Sequence, residues 1–172
     1  MATDETPEGS AADAADVAAP ADLAGKGPVL CIGGRGDLDE AAAAMLGQLL
    51  ERRGIEVQLL PAGALQGSRL KELDLSGVPV IVLSYMNADS LAHARFTVRR
   101  LRRRNPDAAT IVGLWTFKPE DMARRDPIAA TGATRVATSL RDAVKDVIDE
   151  LAPEASEPDK RVQLALVAGG ER

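Results

Sequence analysis

The stretch that most constrains the fold is PVLCIGGRGDLDEAAAAMLGQLLERRG, residues 28–54, in which an apolar segment enters a glycine-rich loop that opens into an amphipathic helix. Residues 28–32 predict a buried strand, and Asp37 followed by Glu40 predicts a helix start with a capping box. In open α/β folds such a turn is where ligands bind, because backbone N–H groups and the positive end of the helix converge there. The helical period predicts an inward stripe of Leu38, Ala42, Met45 and Leu49.

The rest of the chain repeats this alternation of strand and helix. Four further strands are predicted, over 55–60, 78–84, 110–115 and 134–137. Helices are predicted over 65–73, 90–104, 119–123 and, after an N-cap at Ser139, 140–151. Five strands alternating with helices predict an α/β fold, a three-layer doubly wound parallel five-stranded sheet in the flavodoxin-like order 2-1-3-4-5.

Charge divides the chain into three parts. Residues 1–27 hold six acids, one base and almost no large apolar side chain, which predicts a disordered acidic leader or linker. Residues 28–152 carry a net charge of +1 and form the predicted domain, and residues 153–172 are a polar tail. In that tail Val162, Leu164 and Leu166 alternate, so a short edge strand is the alternative there.

The sequence indicates a soluble chain in a reducing compartment, and we expect a cytoplasmic protein. Its single cysteine, Cys31, excludes an internal disulfide and a cysteine-based metal cluster. No secretory signal opens the sequence. The longest run without charge, residues 75–88, has 14 residues, which is short of the roughly 20 that span a bilayer.

The predicted topology places a ligand crevice outside the carboxyl ends of the first and third strands, where the strand order reverses. The residues expected to line it are Gly33, Gly34, Arg35, Gly36, Asp37, Ser84, Tyr85 and Asn87, with Trp115 and Thr116 forming one wall. Neither nucleotide-binding fingerprint is complete: Asp39 stands where the dinucleotide motif needs its third glycine, and no Gly-Lys-Ser/Thr follows. Arg35 either binds a carboxylate or phosphate in bidentate fashion or is a solvated side chain on a tight turn.

No set of residues forms a complete catalytic or metal-binding signature, so we expect no enzyme activity, no metal and no cofactor. Asp37, Asp39 and Glu40 lie in a predicted first helical turn, where capping and the helix dipole already favour acids. A phosphoreceiver domain would need an aspartate where Ser84 stands. His93, the only histidine, has no nucleophile pattern near it in the sequence.

The third predicted helix carries six arginines, and no acid occurs between Ser90 and Pro106. They are Arg95, Arg99, Arg100, Arg102, Arg103 and Arg104. One interpretation is that they complement the helix dipole and pair with acids on neighbouring elements or in the acidic leader. The other is that Arg95, Arg99, Arg102 and Arg103 contact anionic lipid headgroups or an acidic partner. With only four aromatic residues, the chain is not expected to bind nucleic acid.

The strings VLCIGGRGDLDEAAAAMLGQLLERRG and VPVIVLSYMNADSLAHARFTVRRLRRRNPDAATIVGLW resemble the soluble C-terminal domain of some bacterial autoinducer-2 exporter-like permeases. The resemblance implies a cytoplasmic domain at the inner face of the membrane, tethered through residues 1–27, with the arginine helix facing the headgroups. More distantly, the layout is similar to cobalamin-binding domains, whose Ser-x-Leu element corresponds to Ser84-Tyr85-Met86. Their loop motif Asp-x-His-x-x-Gly corresponds to Asp37-Leu38-Asp39, with an aspartate in place of the histidine, so no cobalt ligand is carried over.

Two functions follow as expectations. The first is a non-catalytic regulatory or ligand-sensing domain associated with a membrane permease of that family. The alternative is a free-standing small-molecule-binding protein or enzyme that uses the crevice between strands one and three.

Overall fold

The structure is a computed structural model that describes Leu23 and residues 25–152. The strands are β1 (Val29–Gly33), β2 (Val57–Leu60), β3 (Val80–Tyr85), β4 (Ala109–Leu114) and β5 (Arg135–Ala137). The α-helices are α1 (Asp37–Glu51), α2 (Arg69–Glu72), α3 (Leu91–Arg104), α4 (Pro119–Arg125), α5 (Pro127–Thr131) and α6 (Leu140–Leu151). Two 3₁₀ turns, Ala62–Leu65 and Ala88–Ser90, precede α2 and α3.

The five strands form one parallel sheet in the order β2-β1-β3-β4-β5, which confirms the predicted flavodoxin-like topology. Side chains alternate between the two faces of the sheet, so Val80 and Val82 pack under α1 and α6 while Ile81 and Leu83 pack under α2 and α3. Both faces are covered by helices. The near-continuous aliphatic runs of the central strands follow from this double burial.

The predicted inward stripe of α1 is wrong at Leu38 and Met45, whereas Ala42 is buried and Leu49 packs against the core as predicted. Leu38 and Met45 are 71% and 56% exposed, whereas Leu46 and Leu50 are fully buried against the sheet. The predicted capping box at Asp37 and Glu40 is also absent: Gly36, in an extended conformation, is the N-cap, and no side chain caps the helix. Four consecutive alanines gave the sequence little to fix the helix rotation. Two of the first-turn acids, Asp39 and Glu40, accept hydrogen bonds from backbone N–H groups of loops.

Most other element bounds differ from the prediction by one or two residues, which is the usual uncertainty at element ends. Ser139 caps α6 as predicted, its hydroxyl accepting a hydrogen bond from the Asp142 N–H at 3.1 Å. Helix α5 was not predicted; Asp126, with φ of 37°, separates it from α4.

Two predicted segments fall mainly outside the described residues, namely most of the acidic leader and the polar tail with its alternative edge strand. Leu23, within the predicted leader, is buried in the core under α1 and α6. Within the described part of the chain, no helix has the length and apolar character needed to cross a bilayer.

Candidate functional site

The loops that follow β1 and β3 meet at the carboxyl edge of the sheet. Gly33 stands opposite Ser84 in the strand register, and the Gly34 N–H donates to the Ser84 carbonyl at 2.9 Å. The two halves of the predicted crevice are therefore neighbours, because parallel strands that pair directly end at the same edge.

A buried carboxylate ties these loops together. Asp39 is 7% exposed, and its Oδ2 accepts from the Arg35 N–H at 2.8 Å while its Oδ1 accepts from the Met86 N–H at 2.7 Å. The next acid, Glu40, accepts from the Ala62 N–H after β2 at 2.8 Å. The first turn of α1 thus positions three loops, a role that its sequence did not reveal. No cluster of His, Cys, Asp and Glu suited to a metal occurs in the described part of the chain.

Tyr85 forms a buried floor beneath the β1 loop. A Cβ at Gly34 would stand 2.0 Å from the tyrosine Cε1, so only glycine lets the loop cross the ring. Burial raises the pKa of Tyr85 to about 12, so its hydroxyl stays protonated. That hydroxyl lies 3.1 Å from Nδ1 of His93, whose pKa is lowered by burial and by the nearby charge of Arg35. The lowered pKa favours a neutral His93 ring, and its tautomer decides whether Nδ1 accepts from the Tyr85 hydroxyl or donates to it.

A cleft of about 400 Å³ opens between the β1 loop, the segment after β2 and one side of α3. Its polar lining comprises Arg35, Gln66, His93, Thr97 and Arg100, and Phe96 and Leu65 add apolar surface. Arg100 is held in place by the carbonyls of Leu65 at 2.9 Å and Gly67 at 3.3 Å. Among the described residues the Arg35 guanidinium has no hydrogen-bond or ion-pair partner, and no carboxylate lines the cleft.

The residues predicted for the crevice do not share one surface. Gly34 and Arg35 line the cleft, and Tyr85 underlies it. Gly33 is buried behind the loop, with Glu40 occupying the space where its Cβ would be. Gly36 and Asp37 stand at the start of α1, where Asp37 is exposed, and Asn87 is exposed and accepts from the Asp89 N–H at 2.8 Å.

Ser84 and Trp115 point to the opposite face of the sheet, which α1 and α6 cover, because side chains along a strand alternate between the two faces. Ser84 Oγ and Trp115 Nε1 are both buried, and neither has a hydrogen-bond partner among the described residues. The indole lies over Gly113, whose Cβ would stand 2.1 Å from the ring. Trp115 therefore walls the other face, while the Thr116 hydroxyl donates to the Met86 carbonyl at 2.6 Å.

Sequence reasoning missed the contribution of α3 to the cleft. His93, Phe96, Thr97 and Arg100 follow one another at intervals of three, one and three residues, which places them on one side of a helix. That spacing was visible in the sequence. What was missing was the knowledge that this side of α3 faces the β1 loop across the end of the sheet.

The structure divides the six arginines of α3 into two sets. Arg100 and Arg104 face α2 and donate to backbone carbonyls of residues 65, 67, 71 and 73. Those on the outer and α5 side are Arg95, Arg99, Arg102 and Arg103, of which Arg102 donates to the Gly132 carbonyl at 2.8 Å. Within the described ranges, no arginine of α3 lies within 4 Å of a carboxylate. The predicted pairing with neighbouring acids is not found there.

The fold and the cleft define a flavodoxin-like α/β domain whose cleft, at the carboxyl edge of its sheet, is lined by hydrogen-bond donors. No family model and no curated protein matches the sequence. Among solved structures, the chain is similar to a novel cobalamin-binding protein from Desulfitobacterium hafniense DCB-2, with a TM-score of 0.56 and 19% identity. The match covers 72% of this chain and 58% of that chain. The likeness is one of fold.

The residues of this site do not fit ligation of cobalt by a histidine of the β1 loop. That loop and the first turn of α1 present Arg35, Asp37 and Asp39, and both carboxylate oxygens of Asp39 already accept hydrogen bonds from backbone N–H groups. The histidine of this chain lies on α3 with its Nδ1 bonded to Tyr85.

Proposed function

We propose that this chain is a non-catalytic ligand-sensing domain that binds a small anionic molecule in the cleft between the β1 loop and α3. The observation that carries the proposal is the composition of the cleft wall: two guanidinium groups and no carboxylate. Arg100 is already oriented by backbone carbonyls, and Arg35 is available to a ligand. Planar guanidinium groups suit carboxylate and phosphate oxygens.

The size and remaining groups of the cleft narrow the ligand class. A volume of about 400 Å³ lies near the lower end of the range for small-molecule sites. The His93 ring adds a further polar group, and Phe96, which is 57% exposed, offers an apolar surface. These features favour a small carboxylate or phosphate with a short apolar part.

A sensing role is favoured over catalysis by the state of the nucleophilic side chains. Burial raises the pKa of the Cys31 thiol to about 12, and a reactive cysteine is a thiolate. Ser84 Oγ has no base within hydrogen-bond distance among the described residues. The alternative, a free-standing binder or enzyme that uses the crevice between β1 and β3, would be favoured by turnover of a bound ligand.

The finer proposal is that this sensing domain regulates a permease of the autoinducer-2 exporter-like family from the cytoplasmic side. The sequence resemblance supports it, and the arginine face of α3 is compatible with a position near the membrane. Reading the gene upstream of Met1 tests it: a run of hydrophobic spans in the same frame is the expected result. An upstream stop codon directly before Met1 would refute the fused arrangement.

Thermal unfolding with added anions tests the cleft. Inorganic phosphate, citrate and succinate are the probes, and at about 100 times its Kd a bound anion stabilises the fold by about 2.7 kcal/mol. Arg35→Gln should remove most of the shift, whereas the exposed control Arg52→Gln, which lies outside the cleft, should retain it. Ser84→Ala should also retain it, because Ser84 lies on the other face. Equal shifts in Arg35→Gln and wild type, or no shift with any anion, would exclude anion binding in this cleft.

A further inference from the structure

The two helical layers carry opposite charge. On one face of the sheet, α1 and α6 together hold eight acids and two bases. On the other face, α2, α3, α4 and α5 together hold ten bases and three acids. The net charge of the domain is near zero, yet one side of it is acidic and the other side is basic.

On the basic side, the charges lie on the exposed outer side of α3. On α3 the inward positions are Ala94, Thr97, Val98 and Leu101. Arg99 and Arg103 lie on the outermost side, opposite these positions, and Phe96, which is 57% exposed, lies beside them. The neighbouring α5 contains no charged residue and exposes Ile128.

Between α3 and α5 lies a groove of about 230 Å³ lined by Arg95, Arg99 and Arg102 with the backbone of Gly132. A groove of that volume has room for a single phosphate-bearing group. The exposed arginines, the groove between α3 and α5 and the exposed Phe96 and Ile128 suit a planar anionic surface. Headgroup phosphates would bind the arginines while the apolar side chains reach the interface.

We propose that the outer face of α3, with Arg95, Arg99, Arg102 and Arg103, docks the domain on an anionic lipid bilayer, so that the acidic α1 and α6 layer points away from it. None of these four arginines lines the anion cleft, although Phe96 borders both surfaces. This docking needs no contact with a permease.

Flotation of the full chain with vesicles tests this docking. Vesicles of phosphatidylcholine with about a quarter phosphatidylglycerol should bind the chain, vesicles of phosphatidylcholine alone should not, and about 0.5 M NaCl should abolish binding. Each basic residue near such a surface contributes roughly a five-fold gain, so Arg99→Gln with Arg103→Gln should weaken partitioning about 30-fold.

A matched control separates position from net charge. Arg52→Gln with Lys145→Gln removes the same number of charges from the residue that follows α1 and from α6, on the far side of the sheet, and should leave vesicle binding near the wild-type level. Circular dichroism and the anion-dependent melting shift should be unchanged in both double variants. Equal weakening by the two double variants, or no binding to anionic vesicles, would overturn the proposal. Binding of polyglutamate through Arg99 and Arg103 without vesicle binding would assign the face to an acidic protein instead.

Discussion

Replacing Asp39 by asparagine should destabilise the domain far more than an isosteric change of one atom normally does. The carboxylate is 7% exposed and accepts two backbone N–H groups, from Arg35 and Met86, at 2.8 and 2.7 Å. A hydrogen bond to a charged group contributes about 1.5–3 kcal/mol. The amide retains one acceptor, now neutral, and turns an NH₂ group toward the second N–H.

We therefore expect Asp39→Asn to lower the free energy of unfolding by about 2–4 kcal/mol. Urea unfolding followed by circular dichroism measures this, with an unchanged m-value showing that the unfolded state is not the cause. The control is Asp37→Asn, an exposed acid in the same helical turn, which should lose only the dipole term of about 0.3–1 kcal/mol. Equal losses in the two variants would refute the idea that Asp39 fixes the loops.

Three further predictions concern the same region. Gly34→Ala should lower the free energy of unfolding in urea by about 1–3 kcal/mol, because its Cβ would overlap the buried Tyr85 ring. The control Gly36→Ala, whose Cβ would have nothing within 4 Å, should cost about 1 kcal/mol or less. Equal costs would contradict the close packing of Gly34 on Tyr85. Cys31, fully buried with a pKa raised to about 12, should react with a thiol reagent at pH 8 only after unfolding, and rapid labelling of the native chain would refute this. The pKa of His93 is lower in the folded state than in the unfolded state, so the contribution of His93 to stability should be complete above the unfolded pKa of about 6.5 and be lost as the pH falls below it. In His93→Gln the urea midpoint should therefore depend less on pH between about pH 7 and 5 than in the wild type.

The sheet was predictable because its signals are local and repeated. Continuous aliphatic runs mark β1, β3 and β4 as strands buried on both faces, and the helices between them require parallel crossovers. The rotation of α1 was not predictable in the same way. Its alanines fit either face, so the outcome depended on which leucines could reach the sheet: Leu46 and Leu50 do so, and Leu38 does not.

The candidate site was predictable only in part. Topology placed Gly34 and Arg35 at the switch between β1 and β3, and they line the cleft. The contribution of His93 depends on a contact with Tyr85 across a loop, which no spacing along the chain encodes. The side-chain alternation of β3 could have shown that Ser84 and Tyr85 point to opposite faces of the sheet, so that both could not line one pocket.

The indole of Trp115, packed over Gly113 with no hydrogen-bond partner for its ring nitrogen in the described part of the chain, gives the protein a built-in fluorophore. It is the only tryptophan in the chain, and its backbone N–H donates to the carbonyl of Tyr85 at 3.0 Å. Its emission therefore reports on one defined place, the carboxyl end of β4. A blue-shifted emission spectrum would indicate that water is excluded from this edge of the sheet. A red shift at denaturant concentrations well below the unfolding midpoint would show that water enters at this edge before the domain unfolds.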